Sequence, residues 1–600
     1  MKSRDYRIKG LKDSCLAALL MAGAAFAACS GSEDIATGEQ PANPTEPKTC
    51  TLTVQASKGD NATTRALDLS GTTLNALWEE GEKVDVYTAN EITSGVYVQG
   101  SPNPICTLEA TNVTNGGMSC TLTGSIDPTD LSKGQKLFLK YMGSKGGENG
   151  GTLGGSTQQD GSLQTIADYF DRAHAVVTIS SIGTSTVTTD DASFVNEMAI
   201  VKFTLKDAAG TAITPSSITI QQTGSSSAAD IIVSGSTYTA NSGCFYFAFS
   251  QNTATGYSGD IEITATVGSD TYTYTKAGTS FAAGQFYPVT VKMVKDLSAT
   301  GNANTYIVSS AGKYRFDATV KGNGGLDPMT GTTATKINKS DIASVKVLWE
   351  LYGQGRAIKH DGTSYDISYD DGYVYFSTPS TFVSGNCHVA VVDASDNILW
   401  SWLIWATPEP GEQTADSEKF MDRNLGSINV EYCTRGFLYQ WGRKDPFPST
   451  QHNSANPYYY VPVRMTCHGL TNASQSVSYT ILHPTTYIYN VAWVTENDYK
   501  ANLWSDTEKT IYDPCPAGWR VPTNSQMATF HSKIGLGTLP DTGFIGDCSF
   551  GDFGYGNPGI GYYWSSTGVN KSNAKAFCND ARSNQNWPIN EGYAIRPVKE

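Results

Sequence analysis

Ala199-Ile200-Val201-Lys202-Phe203-Thr204-Leu205 is the stretch on which the fold reading turns. From Val201 onward apolar and polar residues alternate, the pattern of a strand with one face in a core and the other in water. The same texture recurs outward in both directions. Toward the N-terminus it appears as Leu52 and Val54 within Thr51 to Ala56, and as Val84-Asp85-Val86-Tyr87. Toward the C-terminus it appears as Ile261-Glu262-Ile263-Thr264-Ala265 and Val289-Thr290-Val291-Lys292-Met293. The runs are short and bounded by Gly, Asn and Asp, which predicts a mainly β chain of sandwich or barrel type. Helical periodicity is rare, and Gln164 to Ala173 is a candidate.

The chain has 600 residues, several times the ~150 of a typical domain, so more than one core is expected. Charged residues make up 16%, below the ~25% of an average soluble domain. The formal net charge is −15, which argues against nucleic acid, whose phosphates call for a basic face. At 39% hydrophobic residues, most of the chain can bury a core, so disorder is excluded for it.

The first residues are basic (Lys2, Arg4, Arg7, Lys9, Lys12) and precede an apolar run from Leu16 to Ala28. That run is shorter than the ~20 residues of a spanning helix and reads as a secretory signal over residues 1–28. It ends in Phe26-Ala27-Ala28-Cys29, which resembles a bacterial lipobox, with Phe26 where leucine is usual. The resemblance implies diacylglycerol on Cys29; an ordinary A-x-A cleavage site beside an incidental cysteine is the alternative. Ser32-Glu33-Asp34 resembles the acidic tag that sends Bacteroidetes lipoproteins to the outer face of the outer membrane. Residues 29–48 read as a polar, proline-bearing tether.

Three further stretches resemble known families. Arg65-Ala66, Leu77-Trp78-Glu79-Glu80-Gly81-Glu82-Lys83-Val84-Asp85-Val86-Tyr87, Met198-Ala199-Ile200-Val201-Lys202-Phe203 and Ala283-Gly284-Gln285-Phe286-Tyr287-Pro288-Val289 together resemble the Mfa-like fimbrillins, the type V pilins of Bacteroidetes. That implies two tandem transthyretin-like β-sandwiches, over 49–182 and 183–296. Asn304-Thr305-Tyr306-Ile307-Val308 and Leu399-Trp400-Ser401-Trp402-Leu403-Ile404-Trp405 resemble an immunoglobulin-like module, implying a β-domain over 303–408. Beyond a Pro408/Pro410 linker comes an ordered series of motifs. It comprises Met421-Asp422-Arg423-Asn424-Leu425-Gly426, Gly436-Phe437-Leu438-Tyr439-Gln440-Trp441-Gly442-Arg443, Asp513-Pro514-Cys515-Pro516-Ala517-Gly518-Trp519-Arg520, Tyr563-Trp564-Ser565-Ser566-Thr567 and Gly592-Tyr593-Ala594-Ile595-Arg596-Pro597-Val598. The series is similar to the Fibrobacter succinogenes major paralogous domain and implies a loop-rich α+β, C-type-lectin-like domain over 412–600.

The fimbrillin resemblance implies proteolysis after Arg65, leaving Ala66 as the new N-terminus; an unprocessed surface arginine is the alternative. The strand Thr51 to Ala56 would leave with the removed segment, and its groove would take an extended segment from another pilin subunit by strand addition. The true C-terminus, Gly592 to Glu600, carries a closing motif rather than a free strand. Such a chain accepts a strand but does not donate one, which places it at a fibre end.

Cysteines of an exported chain are expected to be oxidised. Cys106 and Cys120 flank an Asn-Gly-Gly turn signal, so a bridge across that hairpin is expected; Cys515, Cys548 and Cys578 are further disulfide candidates, with structural thiols as the alternative. No Cys-x-x-Cys or His-x-x-x-His spacing supports a metal site, and no cofactor is implied. No Gly-x-Ser-x-Gly elbow or phosphate-binding loop supports an enzyme, and neighbours such as Cys387-His388 face opposite sides of a strand. Trp441, Trp519 and Trp564 lie within motifs and read as core. Tyr458, Tyr562 and Trp587 lie in or beside variable loops and form the candidate face for a host glycan or protein. The function expected is a fimbrial subunit and tip adhesin held to the outer membrane. The alternative is a non-polymerising surface lipoprotein that binds polysaccharide for nutrient capture.

Overall fold

The computed structural model describes residues 49–58, 68–70, 73–75, 77–145, 159–223, 231–250, 253, 255–351, 355–428, 436–448, 475–489, 491–495, 502–535, 544–547, 554–556, 560–578 and 584–600. The fold is that of the unit Thr49–Glu600. It is mainly β, as the alternation predicts; the longest helix among the described residues, Asn524–Lys533, opens on a capping box between Thr523 and Gln526.

The first body contains β1 (Cys50–Lys58), a hairpin of β2 (Asp68–Ser70) and β3 (Thr73–Asn75), β4 (Lys83–Thr93), β5 (Val96–Gln99), β6 (Cys106–Thr114), β7 (Ser119–Ile126), β8 (Lys136–Met142), β9 (Arg172–Ile182), β10 (Thr186–Thr189) and β11 (Ala192–Asn196). Pairing runs β1–β7–β6–β4–β8–β9, and β9 returns to β1 through β10 and β11. The sheet therefore closes on itself as a barrel and has no free edge around the ring. Leu52, Val84, Val86, Leu108, Leu122, Leu139 and Val177 fill the interior. Trp78 packs edge-on against Tyr141 at 5.8 Å and Phe194 at 5.4 Å.

This arrangement corrects the boundary expected at residue 182. β10 and β11 belong to the first body because only they supply the parallel partners that join β1 to β9. The body therefore ends at Asn196.

The second body is built from β12 (Ala199–Lys206), β13 (Ser217–Thr223), β14 (Ile231–Ser234), β15 (Phe245–Phe249), β16 (Gly256–Val267), β17 (Asp270–Ala282), β18 (Phe286–Lys292) and β19 (Val294–Asp296). One sheet runs β15-β12-β18 and the facing one β14-β13-β16-β17-β19. Val201, Phe203 and Leu205, the apolar positions of the alternating run, meet Ile218, Ile263 and Phe247 between them.

The facing sheet does not stop there. β19 pairs in parallel with Lys313–Asp317, which pairs with Tyr373–Ser377 and then Ile367–Asp370, giving eight strands across two expected domains. At the junction the Arg315 guanidinium is 2.7 Å from Asp296, with both side chains buried, and lies over the Tyr373 ring at 4.0 Å.

The expected divide between 303–408 and 412–600 is also absent. One hydrophobic cluster runs from Leu297 to Ile595 across the expected border, beside a smaller one confined to Ala415–Val598. Asn304 donates to the carbonyls of Ile511 (2.7 Å) and Asp513 (2.8 Å) and accepts from the Trp400 indole (2.9 Å). The Trp405 indole donates to Ser427, and Trp349 meets Phe437 edge-on at 5.3 Å. The reason lies in the strand Ile398–Ala406, buried at every position from Trp400 to Ala406. A run without alternation needs cover on both faces, and residues 420–595 provide the second cover. Pro408 and Pro410 therefore do not separate independent domains.

Candidate functional site

The site that the sequence singles out is β1 and the walls that hold it. Along β1 the even positions Cys50, Leu52, Val54 and Ala56 are buried and the odd positions Thr51, Gln55 and Ser57 are exposed. On one side β1 runs antiparallel to β7, from Cys50 opposite Ile126 to Ser57 opposite Ser119. On the other it runs parallel to β10 at Thr51 to Thr53 and to β11 at Ala56 to Lys58. The Thr51 amide donates to the Ser185 carbonyl at 2.9 Å, just ahead of β10. The inward side chains taper from Leu52 through Val54 to Ala56, and Ala56 lies directly opposite Cys120.

Withdrawal of β1 would open the ring at one place and leave β7, β10 and β11 with unpaired backbone groups beside an apolar slot. Burying Leu52 and Val54 stabilises the barrel by about 1.5–3 kcal/mol each, so the slot favours refilling by another extended apolar segment. The walls contributed by β10 and β11 gave no sequence signal, since they lie about 130 positions from β1.

The opposite end of the chain is held differently. Val598–Lys599 lies between Glu418–Met421 and Trp519–Arg520, with Val598 fully buried. The buried Lys509 ammonium donates to the carbonyls of Cys515 (3.1 Å), Pro516 (2.6 Å) and Trp519 and reaches the Glu600 carboxylate at 3.3 Å. The Glu600 amide donates to Gly518 at 3.0 Å.

Of the sequence-predicted residues, Cys29, Arg65, Ala66, Tyr458 and Cys548 lie outside the described residues. Cys106 and Cys120 do not meet as a hairpin bridge. The β6–β7 register sets Glu109 opposite Thr123 and Ala110 opposite Leu122, which puts the two cysteines six positions out of step. At ~3.3 Å per residue they are some ~20 Å apart along the strands, against roughly 4.4–6.8 Å between Cα atoms in a disulfide. Cys515 is a buried free thiol that burial pushes well above its ordinary pKa. Cys578 is buried on Asn573–Cys578, paired with Tyr562.

Tyr562 is not on a ligand face. It is fully buried, stacked on Tyr593 at 5.1 Å and edge-on to Trp587 at 5.4 Å, because residues 562–566 are covered on both sides. Trp587 is half-buried and packs on the same cluster. Trp441 and Trp564 are core residues and Trp519 is half-buried.

A polar group in the core escaped the sequence reading. Asp445 accepts from Ser401 (2.7 Å) and Lys444 (2.6 Å), and His388 lies 3.4 Å away, all four residues buried. Burial lowers the His388 pKa, against the pull of Asp445. Burial alone would raise the Asp445 carboxyl, but Lys444, His388 and Arg443 together hold it well below the usual range. His388 faces this group, whereas Cys387 is raised by its own burial and by Glu350.

No protein-family model and no curated protein sequence matches the chain. Among solved structures it is similar to a candidate cell adhesion protein from Bacteroides ovatus (14% identity, 42% of this chain and 95% of that one, TM-score 0.23). A candidate cell adhesion protein from Bacteroides fragilis shows 10% identity over 40% of this chain and 96% of that one, TM-score 0.19. The minor pilin of Streptococcus agalactiae shows 9% identity over 41% and 95%, TM-score 0.16.

Proposed function

We propose that the chain is a cell-surface fibre subunit of the pilus type that accepts a strand from a neighbouring subunit in place of β1. The observation that carries this reading is the position of β1: the first strand of the described chain is the one that closes the barrel. In this reading Cys29 carries the lipid that holds the precursor to the outer membrane. Cleavage at Arg65 frees β1, and a donor strand with apolar residues at alternate positions, the last of them small, takes the slot antiparallel to β7. Val598–Lys599 is fastened inside a core and does not itself serve as a donor strand, and in this reading the subunit sits at the tip of the fibre. Its distal part would meet a host glycan or protein.

The test is treatment of the full chain with an Arg-specific protease, read by N-terminal sequencing and electron microscopy. The expected product starts at Ala66, and Arg65→Ala blocks both the cut and incorporation into fibres. Assembly of the Arg65→Ala chain into fibres would overturn the strand-removal mechanism. Regular immunogold labelling of the C-terminal region along fibre shafts, rather than at their ends, would overturn the tip position.

A further inference from the structure

The second body has a strand edge of its own. β15 is Phe245-Tyr246-Phe247-Ala248-Phe249, buried at all five positions, and β12 is its only partner strand among the described residues. Phe245, Phe247 and Phe249 fill the core between the sheets, while Tyr246 and Ala248 pack against Ile166, Phe170, Met198 and Ile200. A short, uncharged, aromatic edge of this kind is a template for pairing with another chain.

That edge is occupied by a segment of the same chain that is not a strand. The Gln159 side chain accepts from the Ala248 amide at 2.7 Å and donates to the Ala248 carbonyl at 2.9 Å. One side-chain amide thus makes both bonds that the peptide groups of an adjacent strand would make. Two residues on, the Gly161 carbonyl accepts from the Tyr246 amide at 2.9 Å and from the Asn241 side chain at 2.9 Å. Gly161 has φ +83°, and a Cβ there would lie 2.6 Å from Val233 and 3.1 Å from Phe245, so the close approach admits only glycine. Gln159 is 5% exposed. Ser162 then caps the turn that lays Ile166 and Phe170 over the outer face of β15.

We propose that β15 is a second strand-accepting edge and that Gln159–Gly161 keeps it shut in cis as a surrogate strand. The guard is local: three residues, one side-chain amide and one glycine stand where a whole strand would otherwise pair. Removing the amide frees the N–H and C=O of Ala248 while the β12 side of β15 stays paired. The partner for the opened edge is β15 of a second copy: Phe245–Phe249 carries no charge, so two copies meet without like-charge repulsion and pair antiparallel about a two-fold axis.

The test uses the full chain carrying Arg65→Ala, so that β1 stays in place and the first slot cannot produce association. Gln159→Ala is expected to speed amide exchange at Ala248 at least tenfold and to turn a monomer into a concentration-dependent dimer by light scattering. Gln159→Met, which keeps the volume and loses both hydrogen bonds, is expected to do the same, and it decides the matter should the alanine variant fail to fold. Unchanged exchange at Ala248 would overturn the guard. Faster exchange in a chain that stays monomeric at all concentrations would overturn the accepting edge.

Discussion

Asp445 holds together residues that lie far apart in the chain, and its removal has a calculable consequence. Ser401, His388 and Lys444 all turn to its carboxylate inside the core shared by residues 297–595. Asp445→Ala would leave the buried Lys444 ammonium without its counter-charge, and loss of one partner of a buried pair costs about 3–5 kcal/mol. Chemical denaturation should show that loss, with Ser401→Ala well below it. His388 gives a pH dependence of defined sign. Its folded pKa is depressed by burial, so the unfolded chain binds the proton first, near pH ~6.5. The stability is complete above that value and falls as the pH drops below it toward the folded pKa. The depressed Asp445 carboxyl adds a second loss only below its unfolded value near ~3.9. Melting temperatures of the wild type and His388→Gln between pH 7 and 5 should therefore converge as the pH falls. A constant gap would show that His388 is not the titrating group.

At the scale of the element, β1 combines a removable position with a well-filled slot. Leu52→Ala deletes a fully buried side chain and should destabilise the first body by about 2–5 kcal/mol, seen as a lowered unfolding midpoint. Cys120 reports on the slot directly. It is 3% exposed and faces Ala56 across the β1–β7 ladder. Maleimide labelling read by mass spectrometry should find Cys120 protected in the intact chain and modified once cleavage has released β1. Refilling the slot with a peptide of the sequence Cys50 to Ser57 should restore protection. Labelling that is equal before and after release would show that β1 does not cover this wall.

On the scale of the molecule, cores and sheets cross the expected domain borders. β19 hands its ladder to Lys313–Asp317, and the Arg315–Asp296 pair fixes that joint within the core. Trp400, Trp402 and Trp405 lie in one cluster with Trp441, Trp493 and Trp504. A fragment of residues 412–600 alone would expose the apolar surface that these tryptophans cover, so it should fail to give a cooperative thermal transition. Residues 297–600 should unfold as one unit by calorimetry. Two separated transitions in that region would contradict a common core.

Much of this was legible in the amino-acid order itself. Alternation along Val201 to Leu205 and Leu52 to Ala56 sets which side chains face a core, because successive side chains on a strand point to opposite faces. The run Leu399 to Trp405, apolar but for Ser401, shows no alternation, which is why a face could not be assigned to it before the structure showed both faces covered. What alternation leaves open is the neighbour. Ladder hydrogen bonds are made by backbone groups common to every residue, so a period of two assigns a face and not a partner. Only the tertiary structure decided that β1 sits between β7 and the distant β10 and β11. It alone decided that residues 420–595 supply the second cover of Ile398–Ala406, that Tyr562 turns inward, and that a glutamine side chain stands in for a strand beside β15.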